Sequence, residues 1–403
     1  MVFDDAVKYL LGLGHETLTI KLGLRNTELL LQSLDNPERT FPAVQIAGTN
    51  GKGSTAVMLD SICRAADMRT GLYTSPHLVS ITERIRIAGE QTSEEDFARH
   101  TATVREASQR LLDSGEIEAL PTFFEQLTAI ALLAFREARI ELAILETGLG
   151  GRLDSTTAAK AGIVAITRIA MDHEQYLGET MESIASEKAA IIRPCVTAVI
   201  GKQDPEALSV LLQRCEETGV QPILATPPNE PIRIGLRGRH QLENAAIAIS
   251  LAETLSISRD AIITGLETAR HPGRLELIPT EPPVLLDGAH NPAGAQALRI
   301  YLDEFGRRPL SLVFGAMRDK KLERIAETLF PLADNLILTT IDNPRAASLE
   351  TLTPIATRFA RGSVTKCETV SDALHAARSQ TPPEGLICVT GSLYLIGEWK
   401  QLT

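Results

Sequence analysis

The sequence predicts an α/β protein of two domains, each a mostly parallel sheet flanked by helices. Three observations predict it. The chain has 403 residues, more than one hydrophobic core usually serves. Apolar runs of strand length alternate with stretches of helical periodicity. After a Pro- and Gly-rich passage that begins at His271, the alternation starts afresh at Val284. The expected division is a domain over 1–273, a linker over 274–283 and a smaller domain over 284–403. Hydrophobic content of 44% and charged content of 23% describe an ordinary soluble globular protein. The net charge of -11 argues against nucleic acid or an anionic membrane as partner. Cys63, Cys195, Cys215, Cys367 and Cys388 are scattered, with no C-x-x-C, and read as reduced thiols of a cytoplasmic protein. Met1 to Asp5 lacks the basic and apolar regions of a signal peptide, and no apolar run approaches a membrane span.

The chain is organised around Val44 to Thr55. Val44-Gln45-Ile46-Ala47 reads as a buried strand, Gly48-Thr49-Asn50-Gly51-Lys52-Gly53-Ser54 as a glycine-rich turn, and Ala56 to Ala66 as a helix. Strand, turn and helix in that order make a phosphate cradle. Backbone N–H groups and the helix N-terminus face the anion, Lys52 reaches the terminal phosphates, and a hydroxyl suits Mg²⁺. The strict P-loop pattern is not met, because Ile46 replaces its first glycine and Gly53 separates Lys52 from Ser54.

In order along the chain, Asp5 to Leu13 and Thr27 to Leu34 read as helices, with Lys21-Leu22-Gly23-Leu24 as a loop between them. Leu72 to Thr74 reads as a strand end leading into the turn Ser75-Pro76, and the basic run Thr82 to Ile87 as a solvated edge strand. Ser93 to Ser114 is a charged helix. Thr122 and Glu125 have capping-box spacing ahead of a helix through Phe135. Leu142 to Leu145 is a buried strand delivering Glu146, where Mg²⁺ would find an oxygen ligand, and the glycine-rich Thr147 to Asp154 follows. Gly162 to Thr167 and Thr197 to Ile200 are further strands. In the helix Met181 to Ile192, Lys188 falls on the stripe of Ile184, Ala185, Ile191 and Ile192, so it must snorkel, pair or lose its charge. Gly201-Lys202-Gln203-Asp204 imitates a guanine reader without its asparagine and reads as a turn. Asn244 suits a cap for the helix Ala245 to Leu255. Arg274 suits a phosphate clamp near the linker. In the second domain Val284 to Leu286, Leu310 to Phe314, Leu336 to Thr340 and Leu386 to Val389 are buried strands.

The string Gly48 to Ser54 resembles the nucleotide loop of the folylpolyglutamate synthase/dihydrofolate synthase family, within the ATP-dependent Mur ligases. Thr74 to Leu78, Glu146 to Asp154, Gly315 to Lys320, Thr390 to Tyr394 and Asp287-Gly288-Ala289-His290-Asn291-Pro292 resemble family strings in the same order. The resemblance implies an N-terminal P-loop-type mononucleotide-binding domain and a Rossmann-like C-terminal domain that binds glutamate and closes on ATP. It implies ATP contacts from Gly48 through Ser54 and from Asn244, Arg274 and Asp287. It implies two Mg²⁺ sites using Ser54, Ser75, Glu146 and His173, with Lys188 carbamylated to N6-carboxylysine in support of the second. Lys52, His173, Lys188 and His290 take the catalytic roles. Pterin contacts fall on Lys21, Leu22, Gly23, Leu24, Thr122, Phe123, Phe124, Glu125, Leu153, Asp154 and Ser155.

The activity so implied is ligation of L-glutamate to a folate, and secondarily to dihydropteroate, through an acyl phosphate, by a monomer. Lys21 stands where bifunctional members often have an acid, which ranks folate extension first. Two alternatives stand beside it. One is a Mur-type ligase for another acid, which usually carries a UDP-binding domain ahead of the loop. The other is a P-loop GTPase or ATPase switch, which needs no second α/β domain.

Overall fold

The computed structural model of the chain describes residues 1–14, 23–228 and 230–403. They form two compact units. The first comprises Met1–Ser75, Ile81–Gly235 and Glu243–Ala269, and the second Pro76–Ser80, Leu236–Leu242 and Arg270–Thr403. No described helix is long and apolar enough to cross a membrane.

In the first unit the strands are β1 (Ala43–Ala47), β2 (Thr70–Tyr73), β3 (Ile85–Ile87), β4 (Glu90–Gln91), β5 (Leu142–Glu146), β6 (Ile163–Ile166), β7 (Thr197–Ile200) and β8 (Ile223–Leu224). They form one sheet in the order β4-β3-β2-β5-β1-β6-β7-β8. The strands from β2 across to β8 are parallel, while β3 and β4 turn back as an antiparallel edge. β1 and β5 are buried along their whole length, as continuous apolar runs under helices on both faces require. The helices Phe3–Gly12, Arg25–Ser33, Glu94–Asp113 and Phe123–Glu137 contribute to one apolar cluster, and Met181–Ala189 with Pro205–Thr218 to another.

The second unit adds β9 (Glu276–Ile278), β10 (Val284–Asp287), β11 (Leu310–Phe314), β12 (Asn335–Thr339), β13 (Ser363–Cys367) and β14 (Leu386–Thr390), ordered β13-β12-β11-β14-β10-β9. All pairs are parallel except β9 on β10. Apolar clusters cover both faces.

Several boundaries differ from the sequence reading. The helix after the phosphate loop is Lys52–Ala65, one turn longer than expected at its start. Gly53 and Ser54 disfavour a helix interior, but at a first turn that preference costs little. The stretch expected as a linker contains β9, whose alternation is too short to register as a strand. β13 also escaped notice, because most of its residues are exposed and polar. The run Thr82 to Ile87 is not a solvated strand throughout. Ile81–Arg84 forms a 3₁₀ turn, and Arg84 is buried with its guanidinium 5.4 Å from the centre of the Phe123 ring.

The helix Arg259–Thr268 packs directly on the phosphate-loop helix. A Cβ at Gly265 would stand 2.3 Å from Ile62 Cα. Backbone cannot yield as a flexible side chain would, so Gly265→Ala is expected to destabilise the first unit by about 1–3 kcal/mol. Urea unfolding checks this as a lowered midpoint with an unchanged slope.

Candidate active site

The turn after β1 is built backwards from what its composition suggests. Gly51 caps the helix Lys52–Ala65 at φ +93°, a left-handed conformation that L side chains rarely adopt, and a Cβ there would stand 2.1 Å from Asn244 Oδ1. The N–H groups of Thr49 and Asn50 both donate to the Arg168 carbonyl, at 2.9 and 3.1 Å. The Thr49 hydroxyl accepts from Ala170 N–H and donates to Ala170 C=O, each at 3.0 Å. Those two amides are therefore engaged by the Arg168 carbonyl. The first intrahelical bond runs from Thr55 N–H to Gly51 C=O, so Lys52, Gly53 and Ser54 lie ahead of the helical ladder and form its positive end.

Two lysines meet at this turn. Lys52 Nζ donates to the carbonyls of Gly48 and Thr49, each at 3.2 Å. Lys188 Nζ donates to the same Gly48 carbonyl at 2.9 Å from 140 positions further along the chain. Lys188 is only 4% exposed, so it does not snorkel. Burial, reinforced by the Lys52 charge, pulls its amine down to about 7, against the partial support of Asp172, Asp154 and Glu187. Of the open alternatives, pairing and partial loss of charge both apply.

Parallel pairing sets Glu146 opposite Ile46, two residues before Gly48. Its Oε2 accepts the Ser75 N–H at 3.0 Å, which ties the ends of β5 and β2 together. Glu146 and Ser54 are buried oxygen donors, and one or two such groups completed by substrate phosphates is how Mg²⁺ is usually held. In chemical type the oxygens of Glu146, Ser54 and Ser75 suit such an ion. Among the described residues no group of three His, Cys, Asp or Glu forms a metal cage. His173 caps a short helix at φ +54°, with Nε2 4.0 Å from Asp172 Oδ2. With Lys188 an amine, His173 and Lys188 as they stand do not fit a second Mg²⁺.

The residues expected at a pterin pocket divide. Lys21 and Leu22 lie outside the described residues, and Gly23 and Leu24 lead into the helix Arg25–Ser33. Thr122 and Glu125 form a complete capping box, with Thr27 also donating to Glu125 Oε1 at 3.2 Å. Phe123 is buried, whereas the half-buried Phe124 lies between Tyr73, at 5.8 Å between ring centres, and Gly148. Leu153 is half-buried. Asp154 and Ser155 are buried with polar atoms engaged inside: Asp154 accepts from Leu149 N–H and Thr156 N–H, and Ser155 shares a hydroxyl bond with Thr128.

Asn244 does not cap its helix. The helix begins at Gln241, which puts Asn244 in the first turn, buried and directed at Gly51. In the second unit Asp287 accepts from Leu275 N–H at 2.9 Å and Ala289 N–H at 3.1 Å. Burial pushes its carboxyl up, opposed by the Arg274 charge. His290 Nδ1 lies 2.8 Å from Gly288 C=O, and Arg274 Nη1 donates to the same carbonyl at 3.4 Å. Sequence reasoning missed Gln203, whose amide accepts from Ile169 N–H and donates to Thr167 C=O, each at 2.9 Å, and so holds the segment behind the phosphate loop. A glutamine in a turn gives no periodic signal.

This two-unit fold and its phosphate turn define a Mur-type ligase: residues 46–224 match the Mur ligase middle domain and 273–393 the Mur ligase glutamate ligase domain. The chain is 35% identical to the Bacillus subtilis dihydrofolate synthase/folylpolyglutamate synthase, over 96% of each protein. It is 34% identical to a Haloferax volcanii relative described as a probable bifunctional folylpolyglutamate synthase/dihydropteroate synthase, and spans about half (50%) of that relative's length. Among solved structures, Mycobacterium tuberculosis folylpolyglutamate synthase complexed with ADP aligns at a TM-score of 0.91, 32% identity and 99% coverage of both chains. Escherichia coli FolC in complex with DHPP and ADP aligns at 0.89 and 30% identity, over 100% of this chain and 97% of that one. The chain belongs to the folylpolyglutamate synthase/dihydrofolate synthase family.

The lowered Lys188 value carries a sign. Between about pH 7 and 10.5 the unfolded chain holds a proton on this lysine that the folded chain does not, so its burial penalty shrinks as pH rises through that window. In CO₂-depleted buffer, Lys188→Met is expected to flatten the rise of stability from pH 7 to pH 9, read as urea midpoints of variant and parent.

Proposed function

We propose that the chain is an ATP-dependent ligase that joins L-glutamate to the carboxylate of a pterin acid, a folate first and dihydropteroate second. The observation that carries this is the phosphate turn: Lys52 and Lys188 converge on Gly48 beside the buried Glu146. Full-length similarity to relatives named for this reaction, and neighbours described with ADP and DHPP, support it. The Haloferax relative pairs the activity with dihydropteroate synthase in one chain, which makes dihydropteroate the second acid to test. Lys21 remains the reason for ranking folate first.

Joining an acid to an amine in water is uphill, so the acid must be activated. The carboxylate attacks the γ-phosphorus of ATP, ADP departs, and an acyl phosphate forms. The amine of glutamate then adds to the acyl carbon, loses a proton, and phosphate leaves. Phosphoryl transfer asks mainly for positioning and charge neutralisation. Lys52 and the positive helix end at Gly53 and Ser54 provide these for the β- and γ-phosphates. A Mg²⁺ held by Ser54, Ser75 and Glu146 would screen phosphate charge. Phe124 offers an aromatic face for the pterin. In the second unit Asp287 holds the loop that carries Arg274 and His290.

Lys188 is the modified residue of this proposal. Its neutral amine adds to the carbon of CO₂, the C–O π electrons move to oxygen, and a proton is lost, leaving a carbamate anion at the phosphate turn. Such an anion would supply the oxygen ligand that a second Mg²⁺ needs.

Purified protein given ATP, L-glutamate and either pterin acid should release ADP in proportion to a product one glutamyl unit heavier, read by mass spectrometry. ADP release indifferent to acid and amine would instead favour the nucleotide-switch reading. Lys52→Ala is expected to lower turnover at least a thousand-fold, as loss of a principal phosphate contact should.

A further inference from the structure

Gln45 is out of place for its position. It lies at the centre of β1 with no exposed surface, and Ala43 and Ala47, two residues to either side on the same face, belong to apolar clusters. An apolar residue is the default for such a site. Gln45 instead directs Nε2 at three threonine hydroxyls: Thr147 at 3.3 Å, Thr156 at 3.0 Å and Thr157 at 2.7 Å. Thr157 donates its own proton to Gly151 C=O, and Thr156 donates to Asp154 Oδ1. Their hydroxyls therefore face the glutamine as acceptors. An amide nitrogen has two hydrogens for these three acceptors, and Gln45 Oε1 is buried without a hydrogen-bond partner. As a stabilising element this arrangement is poor, because a buried unsatisfied acceptor costs about 1–3 kcal/mol.

Its value lies in what the threonines bracket. Thr147 directly follows Glu146, and Thr156 and Thr157 close the glycine-rich segment that opens there. Within that segment Gly148 packs on Phe124, and Arg152 N–H donates to Glu187 C=O at 3.0 Å, beside Lys188. The phosphate turn, by contrast, is held from its other side by Arg168 and Ala170. We infer that Gln45 is a positioning residue: by pinning both ends of the Thr147–Thr157 loop, it sets the wall against which the pterin acid binds, independently of nucleotide binding. The inference rests on the proposed ligase reading and adds a residue to it.

The test is Gln45→Met, which keeps length and volume and removes the amide, beside Gln45→Glu, which keeps the reach but replaces the N–H donors with carboxylate acceptors. Gln45→Met should melt at or above the parental temperature and bind ADP within two-fold of the parent. Its KM for the pterin acid should rise about ten-fold with a smaller change in kcat, since displacement of a supporting wall acts on placement. Gln45→Glu should not recover that loss, because its carboxylate has no N–H to donate to the threonine hydroxyls. In addition, trypsin should cut after the exposed Arg152 about ten-fold faster in Gln45→Met, with other sites unaffected. Unchanged cleavage at Arg152, or a KM shift matched by an equal loss of ADP affinity and a lowered melting temperature, would overturn the positioning role. If Gln45→Met fails to fold, Thr147→Val and Thr157→Val carry the same cleavage and KM measurements. A parent enzyme that binds ADP but turns over no pterin acid would refute the ligase reading instead, while the cleavage result still decides the role of Gln45.

Discussion

Everything at the site depends on the parallel register of three adjacent strands. β1 lies between β5 and β6, with Ile46 opposite Glu146 on one side and Ala47 opposite Ile166 on the other. Three chain segments therefore leave the sheet side by side at one edge. The segment after β1 carries the phosphate turn, that after β5 the glycine-rich loop, and that after β6 the carbonyl of Arg168 and the backbone of Ala170. Open parallel sheets present ligands at this carboxyl edge. Here the constraint is stricter, because each segment is bonded to a neighbour. A shift of one residue in either pairing would turn every side chain of that strand to the opposite face.

That geometry explains why a lysine can be buried at position 188. The helix Met181–Ala189 belongs to an apolar cluster, and Arg152 N–H and the Arg152 guanidinium meet Glu187 at its end. The Lys188 amine is thus delivered to a carbonyl belonging to the phosphate turn. A lone cation there would be strongly disfavoured. The Gly48 carbonyl and the charges of Asp172, Asp154 and Glu187 compensate in part, while Lys52 works against it. An amine balanced near neutrality is able to react as a nucleophile, which a solvated lysine at that pH does far less readily.

Much of the framework was readable because burial on both faces imposes long apolar runs. β1, β5, β7 and β11 fell where their composition put them, and the capping-box pair Thr122 and Glu125 marked a helix start correctly. Short edge strands were not readable. β9 and β13 take their conformation from a neighbouring strand rather than from a pattern of their own. The site was legible in its residue types but not in its directions. Glycines, lysine and hydroxyls announced a phosphate turn, yet nothing local indicates that Thr49 and Asn50 donate backward to Arg168, more than a hundred positions away. Asn244 looked like a cap because the periodic signal began after it, and the helix in fact starts three residues earlier.

The two buried aspartates press the same distinction further. Asp154 and Asp287 both accept backbone N–H groups, Asp154 at the start of a 3₁₀ turn and Asp287 as the last residue of β10. Those bonds favour the charged form, but burial outweighs them, and both carboxyls sit above the ordinary aspartate range. A folded-state value above the unfolded one means that the ionised group is a burden on stability at neutral pH. Neither residue is explained by a gain in folding energy. What each provides is a specific turn: Asp154 ties Leu149 to Thr156, and Asp287 ties Leu275 to Ala289 beside His290. Conspicuous acids in a sequence motif therefore act here as fasteners for the backbone.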